Sequence, residues 1–283
     1  MVVFKKMSMS KPLINIITRA SREESILTSI NSVKSQTYKN VHHIVTYETE
    51  EMRKYLIDVV DKEKTTLVKV PKYKHIPELS YSYNHHDAYT KFLNPNWEFW
   101  DRKVHINGEG FDPNHRINVK SNRYETPGVG WATDLSFTMR KEIYHFPYNQ
   151  YLKIAERYLK EGWVVYLDDD DSFYENNTLE KVSKALIEVG EDTLFLIKTI
   201  ANYGVKPSDK IWFELKVGLP LVLGAIGASN FIFHSKYADY TAWDEWRGAD
   251  YRTAKCLEEV IPKKAFLNEI LVNVGNIDLK NGA

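Results

Sequence analysis

Four consecutive aspartates, Asp168-Asp169-Asp170-Asp171, follow the apolar run Val164-Val165-Tyr166-Leu167. An acidic run alone is ordinarily a solvated loop or a helix cap. Here the preceding residues read as a buried strand, so the carboxylates are crowded together where water screens them poorly. Two carboxylates about 4 Å apart repel by about 4 kcal/mol at an effective dielectric of about 20. A hard divalent cation, Mn²⁺ or Mg²⁺, removes that cost and leaves coordination positions for water and phosphate oxygens. The chemistry this suits is the binding of a nucleotide diphosphate.

The elements needed to hold such a site are written around it. From Leu13 to Val70 short apolar runs alternate with amphipathic stretches, as in βαβ units. Strands are expected over Leu13 to Ile17, Val41 to Thr46 and Thr66 to Val70. Helices are expected after Ser21, which suits an N-cap with Glu24 three residues on, and over Glu50 to Val60. After residue 147 the pattern resumes with a helix through Tyr151 and Leu159, a stop at Gly162 and the strand Trp163 to Leu167. A helix from Thr178, strands over Thr193 to Thr199 and Ser229 to His234, and two helices, Tyr251 to Val260 and Ala265 to Val274, complete the reading. The fold class is α/β, a mostly parallel sheet flanked by helices. Ligands of open parallel sheets lie at the carboxyl ends of the strands, where Arg19 and the aspartates fall.

Between Pro71 and Pro147 the periodicity fades into Tyr, Trp, His, Asn, Pro and Gly. This 71–147 insertion reads as a lid or a small irregular subdomain. Trp100 and Trp131 stand there among hydrogen-bonding residues, a mixture that suits a sugar's apolar face and hydroxyl rim as well as local packing. The pairs His42-His43 and His85-His86 lack zinc spacing and read as structural. His234, after the last apolar strand, reads as structural with a metal-ligand role as the rarer alternative. Asp250, ahead of Ala254, Leu257 and Val260, has the place of an N-cap.

Four segments resemble the GT-A glycosyltransferases, especially the family-2-like members of bacteria and large viruses. They are Pro12 to Arg19 with the helix ending Ser35-Gln36-Thr37-Tyr38; Tyr148-Asn149-Gln150 through Gly162 to Asp171; Gly224 to Phe231; and Gly248-Ala249-Asp250. The resemblance implies a GT-A domain and a hexosyl- or pentosyltransferase carrying a sugar from a nucleotide diphosphate, with UDP-sugar favoured, to a glycan or glycoprotein hydroxyl. It implies that Thr18, Arg19, Asn149, Asp168 and Asp169 meet the donor, with Glu48 or Tyr47 standing in at the nucleotide base, that Asp170 and Asp171 hold Mn²⁺ or Mg²⁺, and that Ser229 and Asn230 face the acceptor. The insertion is unmatched, and Trp100 and Trp131 are acceptor-side candidates by composition alone. Asp250 would be the base of an inverting transfer, with Asp244 and Glu245 in reserve. The family's acidic residues after the second strand are replaced here by Thr46-Tyr47-Glu48-Thr49, which leaves the choice of base open. A sugar nucleotidyltransferase is the rival enzyme, although Thr18-Arg19-Ala20-Ser21-Arg22 lacks that class's glycine-rich loop. A carbohydrate-binding protein on the same fold is the non-catalytic alternative.

Composition narrows the setting. Lys plus Arg and Asp plus Glu each total 38 in 283 residues, so no overall field draws in nucleic acid. The single cysteine, Cys256, excludes an intramolecular disulfide and points to the cytoplasm. No apolar run is long enough for a transmembrane anchor. The expected organisation is a flexible leader over 1–11 and a single domain over 12–283.

Overall fold

A computed structural model describes residues 11–72, 79–84, 104–106, 140–144, 148–202, 204–219, 221, 226–244 and 248–275. Strand β1 (Ile14–Arg19) leads to helix α1 (Glu23–Lys34), β2 (Val41–Tyr47), α2 (Glu50–Val59) and β3 (Thr65–Lys69). Strands β4 (Leu79–Asn84), β5 (Val104–Ile106) and β6 (Arg140–Tyr144) lie inside the 71–147 insertion and pair as a separate antiparallel sheet in the order β5-β4-β6. The chain resumes with α3 (Asn149–Ala155), β7 (Trp163–Tyr166), β8 (Ser172–Phe173), α4 (Thr178–Val189), β9 (Thr193–Ala201) and β10 (Gly204–Lys206). It ends with α5 (Asp209–Lys216), β11 (Phe231–His234), α6 (Ala249–Val260) and β12 (Lys263–Asn273).

The main sheet runs β3-β2-β1-β7-β11-β9-β12-β8, with β10 on β9. Strands β3, β2, β1, β7, β9 and β12 point one way; β11, β8 and β10 oppose them. Strands covered on both faces read as continuous apolar runs, and their alternation sorts side chains between two cores. Val164 and Tyr166 of β7, Leu194 and Leu196 of β9, and Phe231 and Phe233 of β11 meet α3, α5 and α6 through Tyr151, Trp212 and Leu257. Trp163, Val165, Phe195, Ile197 and Ile232 meet α1 and α4 through Val33, Leu179, Val182 and Leu186. Helix α2 closes the β2 end with Met52 and Leu56. Among the described residues no helix is long and apolar enough to cross a membrane.

Two expectations are corrected. The segment read as a helix over Ala265 to Val274 is strand β12, which runs parallel to β9 and antiparallel to β8. Register shifts at Leu267/Ile270 and Ile270/Val272 interrupt its two-residue alternation and leave a spacing that imitates a helical face. Ser21 does not cap α1: the N-cap is Arg22, without a side-chain cap bond, because the Ser21 hydroxyl is spent elsewhere. Gly162 does more than end a helix. At φ +153° its hypothetical Cβ would lie 2.5 Å from the Leu13 carbonyl oxygen, so only glycine lets β7 start against β1.

The pair His42-His43 is structural, as its lack of zinc spacing suggests, and His85-His86 lies outside the described residues. His42 lies between Asn15 Oδ1 at 3.2 Å and Thr66 Oγ1 at 2.8 Å, and His43 Nε2 meets Thr18 Oγ1 at 3.0 Å. Desolvation pushes His42 down to about 4 and His43 down to about 3. Below about pH 6.5 the unfolded chain takes up protons that the folded chain refuses, so this contribution to stability is lost as the pH falls from there towards the folded values. From pH 6.5 to 5 each ring is expected to cost about 2 kcal/mol. Urea unfolding at the two pH values checks this: His43→Gln should show a decline smaller than wild type by about that amount.

Candidate active site

Parallel pairing of β1 with β7 brings Arg19 and the four aspartates to one edge. Leu167 N donates to Ile17 O at 2.9 Å, the last rung before the strands part. Arg19 then grips Asp168 with both arms of its guanidinium, Nε to Oδ1 at 3.0 Å and Nη2 to Oδ2 at 3.1 Å. Burial raises the Asp168 carboxyl, Arg19 opposes the rise, and the charges of Asp169 and Asp170 add to it.

The aspartates divide by what already holds them. Asp169 is buried and saturated: Oδ2 accepts from Ser21 N at 3.0 Å, Ser21 Oγ at 2.7 Å and Arg22 N at 2.9 Å, and Arg22's guanidinium closes on it. These bonds outweigh burial and hold its carboxyl below the usual carboxylate range. Asp169 thus ties the tip of α1 to the end of β7. Asp171, also buried, accepts from Ser229 Oγ at 2.7 Å and Gly275 N at 3.0 Å. Burial and the Asp168 charge push it up to about 7. Asp168 and Asp170 keep side-chain exposures of 28% and 27%, so these two remain partly open at the edge. Arg22 Nη2 reaches Asp170 Oδ2 at 2.9 Å and, at 55% exposure, adds a second cation at the edge.

No group of three or more His, Cys, Asp and Glu poised for a metal occurs among the described residues. By donor type Asp168 and Asp170 suit a hard ion such as Mn²⁺ or Mg²⁺, which would have to displace Arg19 and Arg22 from them.

Strand direction decides what faces the aspartates. Because β11 runs antiparallel to β7, its first residues reach the carboxyl edge and its last reaches the opposite one. Ser229 and Asn230 therefore come to the site. Ser229 is bonded to Asp171, and Asn230 Nδ2 donates to Ile197 O at 3.1 Å and Lys206 O at 3.0 Å, clamping β9, β10 and the loop. His234 is instead opposite Trp163, beside Glu191 at 3.7 Å, which removes it from any metal at the aspartates.

Asp250 lies in the first turn of α6, whose N-cap is Gly248 at φ +83°, so it is not the cap. Its Oδ1 accepts from Tyr251 N at 2.8 Å, while Oδ2 would lie 3.8 Å from a Cβ placed on Gly227. Burial raises its carboxyl; the Tyr251 amide and Arg252 oppose the shift, and the Asp168 charge adds to it.

Thr18 lies beneath the edge, fully buried with its hydroxyl between His43 and Ser29. Glu48 stands just beyond β2, and desolvation raises its carboxyl. Asn149 opens α3 and is buried. Asp244 is held by Arg252 Nε at 2.6 Å. Trp100, Trp131 and Glu245 lie outside the described residues. Sequence reading missed Ser21, Arg22 and Gly275 as partners of the aspartates; only the proximity of Ser21 and Arg22 to the end of β1 could have signalled the first two.

The sheet order and its carboxyl-edge cleft define an α/β fold of the GT-A kind. In particular, the crystal structure of S. aureus TarS matches 93% of this chain at a TM-score of 0.50 and 10% identity, and the chain spans 36% of TarS. Structures of TarS 1-349 in complex with UDP and with UDP-GlcNAc match 93% of this chain at TM-scores of 0.49 and 0.48, again at 10% identity, and the chain spans 60% and 58% of them. No family model matches the chain, and no curated protein is significantly similar.

Proposed function

We propose that the chain is a metal-dependent glycosyltransferase that moves a sugar from a nucleotide diphosphate, with UDP-sugar the leading donor, onto a glycan or glycoprotein hydroxyl with inversion. The observation that carries the reading is the pairing of the edge formed by Asp168, Asp170, Arg19 and Arg22 with the recessed carboxyl of Asp250, close enough for the Asp168 charge to be felt there.

Arg19 and Arg22 bring cations to this edge, and both are suited to diphosphate oxygens because a guanidinium presents its N–H groups as a fixed fork. Arg19 also opposes the rise that burial gives the Asp168 carboxyl. Asp168 and Asp170 would hold the divalent ion, which when bound supplies Lewis-acid stabilisation of charge on the leaving diphosphate. Asp169 and Asp171 position the edge: one fixes α1 to β7, the other fixes β7 to the start of β11 and the end of β12. Asp250 accepts the proton of the attacking hydroxyl. Burial raises its affinity for a proton, which strengthens it as a base relative to a solvated aspartate.

The reading is tested with a panel of UDP- and GDP-sugars, with and without Mn²⁺. A UDP-sugar is expected to raise Tm in the metal's presence, since a ligand that binds only the folded state stabilises it by mass action, and slow metal-dependent hydrolysis of the donor should accompany the shift. A shift with carbohydrate alone and no donor hydrolysis would favour a binding protein instead.

A further inference from the structure

Beneath the cleft, a run of buried polar groups takes no part in the steps above. Tyr166, two residues before Asp168, donates its hydroxyl hydrogen to Glu156 Oε1 and accepts from Trp243 Nε1 at 2.9 Å. Glu156 Oε2 accepts from Thr241 Oγ1 at 2.6 Å, and Lys153 Nζ donates to the same threonine oxygen at 2.7 Å. The Trp243 ring stands edge-on to Tyr166 at 4.8 Å, and its carbonyl accepts from Gln150 Nε2 at 3.3 Å. Residues 241–244 are thus fastened to β7 and α3.

The same four residues are fastened to α6. Ala242 N donates to Thr253 Oγ1 at 3.1 Å, and Asp244 holds Arg252, a side chain only 1% exposed and two residues from Asp250. A short strap therefore links the strand that carries Asp168 to the helix that carries Asp250, through groups that are almost all buried.

Stability alone does not call for this chemistry. Buried polar groups recover little more than their desolvation cost, and apolar side chains of similar volume commonly stabilise a core as well or better. What directional bonds add is one fixed geometry. A transfer reaction needs such a geometry here, because the hydroxyl must meet its base and the donor carbon together.

We infer that Tyr166, Glu156, Thr241 and Trp243 are positioning residues that set the separation between the acidic end of β7 and Asp250; the inference rests on the transfer reaction proposed above. None of the four touches the reacting atoms. Their effect is on the alignment of acceptor and base, and donor binding at Arg19, Asp168 and Asp170 does not depend on it.

Tyr166→Phe keeps the ring and removes the hydroxyl that joins Glu156 to Trp243. Thr241→Val, nearly isosteric, releases the strap from Glu156. Each variant is assayed for transfer kcat, donor KM and the Tm shift given by UDP with Mn²⁺. The expected result is a kcat lower by about ten- to a hundredfold, the range that a misplacement on the order of 1 Å produces, with donor KM and the UDP-induced shift unchanged. A merely structural role would lower Tm and leave kcat at wild type below the melting range, and that result overturns the inference while the proposed function stands. A wild-type protein inactive with every donor overturns the proposed function and the inference with it. Should Tyr166→Phe fail to fold, the kcat of Thr241→Val decides.

Discussion

Asp250→Asn is expected to lower sugar transfer by about 10²- to 10⁴-fold, the span a general base commonly contributes, while donor affinity stays near wild type. The substitution is nearly isosteric and keeps an oxygen for the Tyr251 amide, so α6 should form as before. It removes only the capacity to take the acceptor's proton. Because the helix is capped by Gly248, a purely structural Asp250 predicts little change in either stability or activity. Transfer rates with saturating donor separate the two cases. The anomeric configuration of the product adds a second check, since retention would be incompatible with a base acting directly on the attacking hydroxyl.

Asp170→Asn should abolish Mn²⁺-dependent nucleotide binding and leave the fold intact. Asp170 is partly exposed, and Arg22, with which it pairs, is itself more than half exposed, so the lost ion pair costs at most about 1 kcal/mol. Relief of repulsion among neighbouring carboxylates offsets part of that. In wild type, UDP with Mn²⁺ at about 100 times Kd should add about 2.7 kcal/mol of stability. The variant should show none of it in a thermal shift. Wild-type affinity in Asp170→Asn would remove the residue from the metal site.

The first half of the domain was legible because buried parallel strands and amphipathic helices have distinct periods: β1, β2, β3, β7 and their helices lie within a residue or two of their expected places. β12 was hidden by its bulges. Of the strands in the insertion, β4 does alternate, Leu79-Ser80-Tyr81-Ser82-Tyr83-Asn84, but over only six residues among His, Asn and Pro it does not stand out; Trp100 and Trp131 lie outside the described residues.

At the site, the aspartate run marked the correct edge, but four adjacent carboxylates look alike in a sequence. Their division into two that remain partly open at the edge and two that fasten the framework follows from partners far along the chain: Ser21 and Arg22 for Asp169, Ser229 and Gly275 for Asp171. His234 illustrates the same limit. Spacing cannot reveal strand direction, and direction alone sends it to the opposite edge from Asn230.

The fastening of Asp169 and Asp171 also governs how the protein comes into being. The bonds from Ser21 and Arg22 to Asp169 span 148 and 147 residues, and the bond from Gly275 to Asp171 spans 104. Contacts of such separation are formed late, because the loop entropy they close must be met before they stabilise anything. During synthesis the amino-terminal half leaves the ribosome with the tip of α1 untethered and the β1 edge open. β9 must likewise wait for β12, whose last residues arrive only near position 273. The aspartate edge is thus completed late, and a nascent chain short of β12 carries all four aspartates but lacks the Gly275 amide that fastens Asp171.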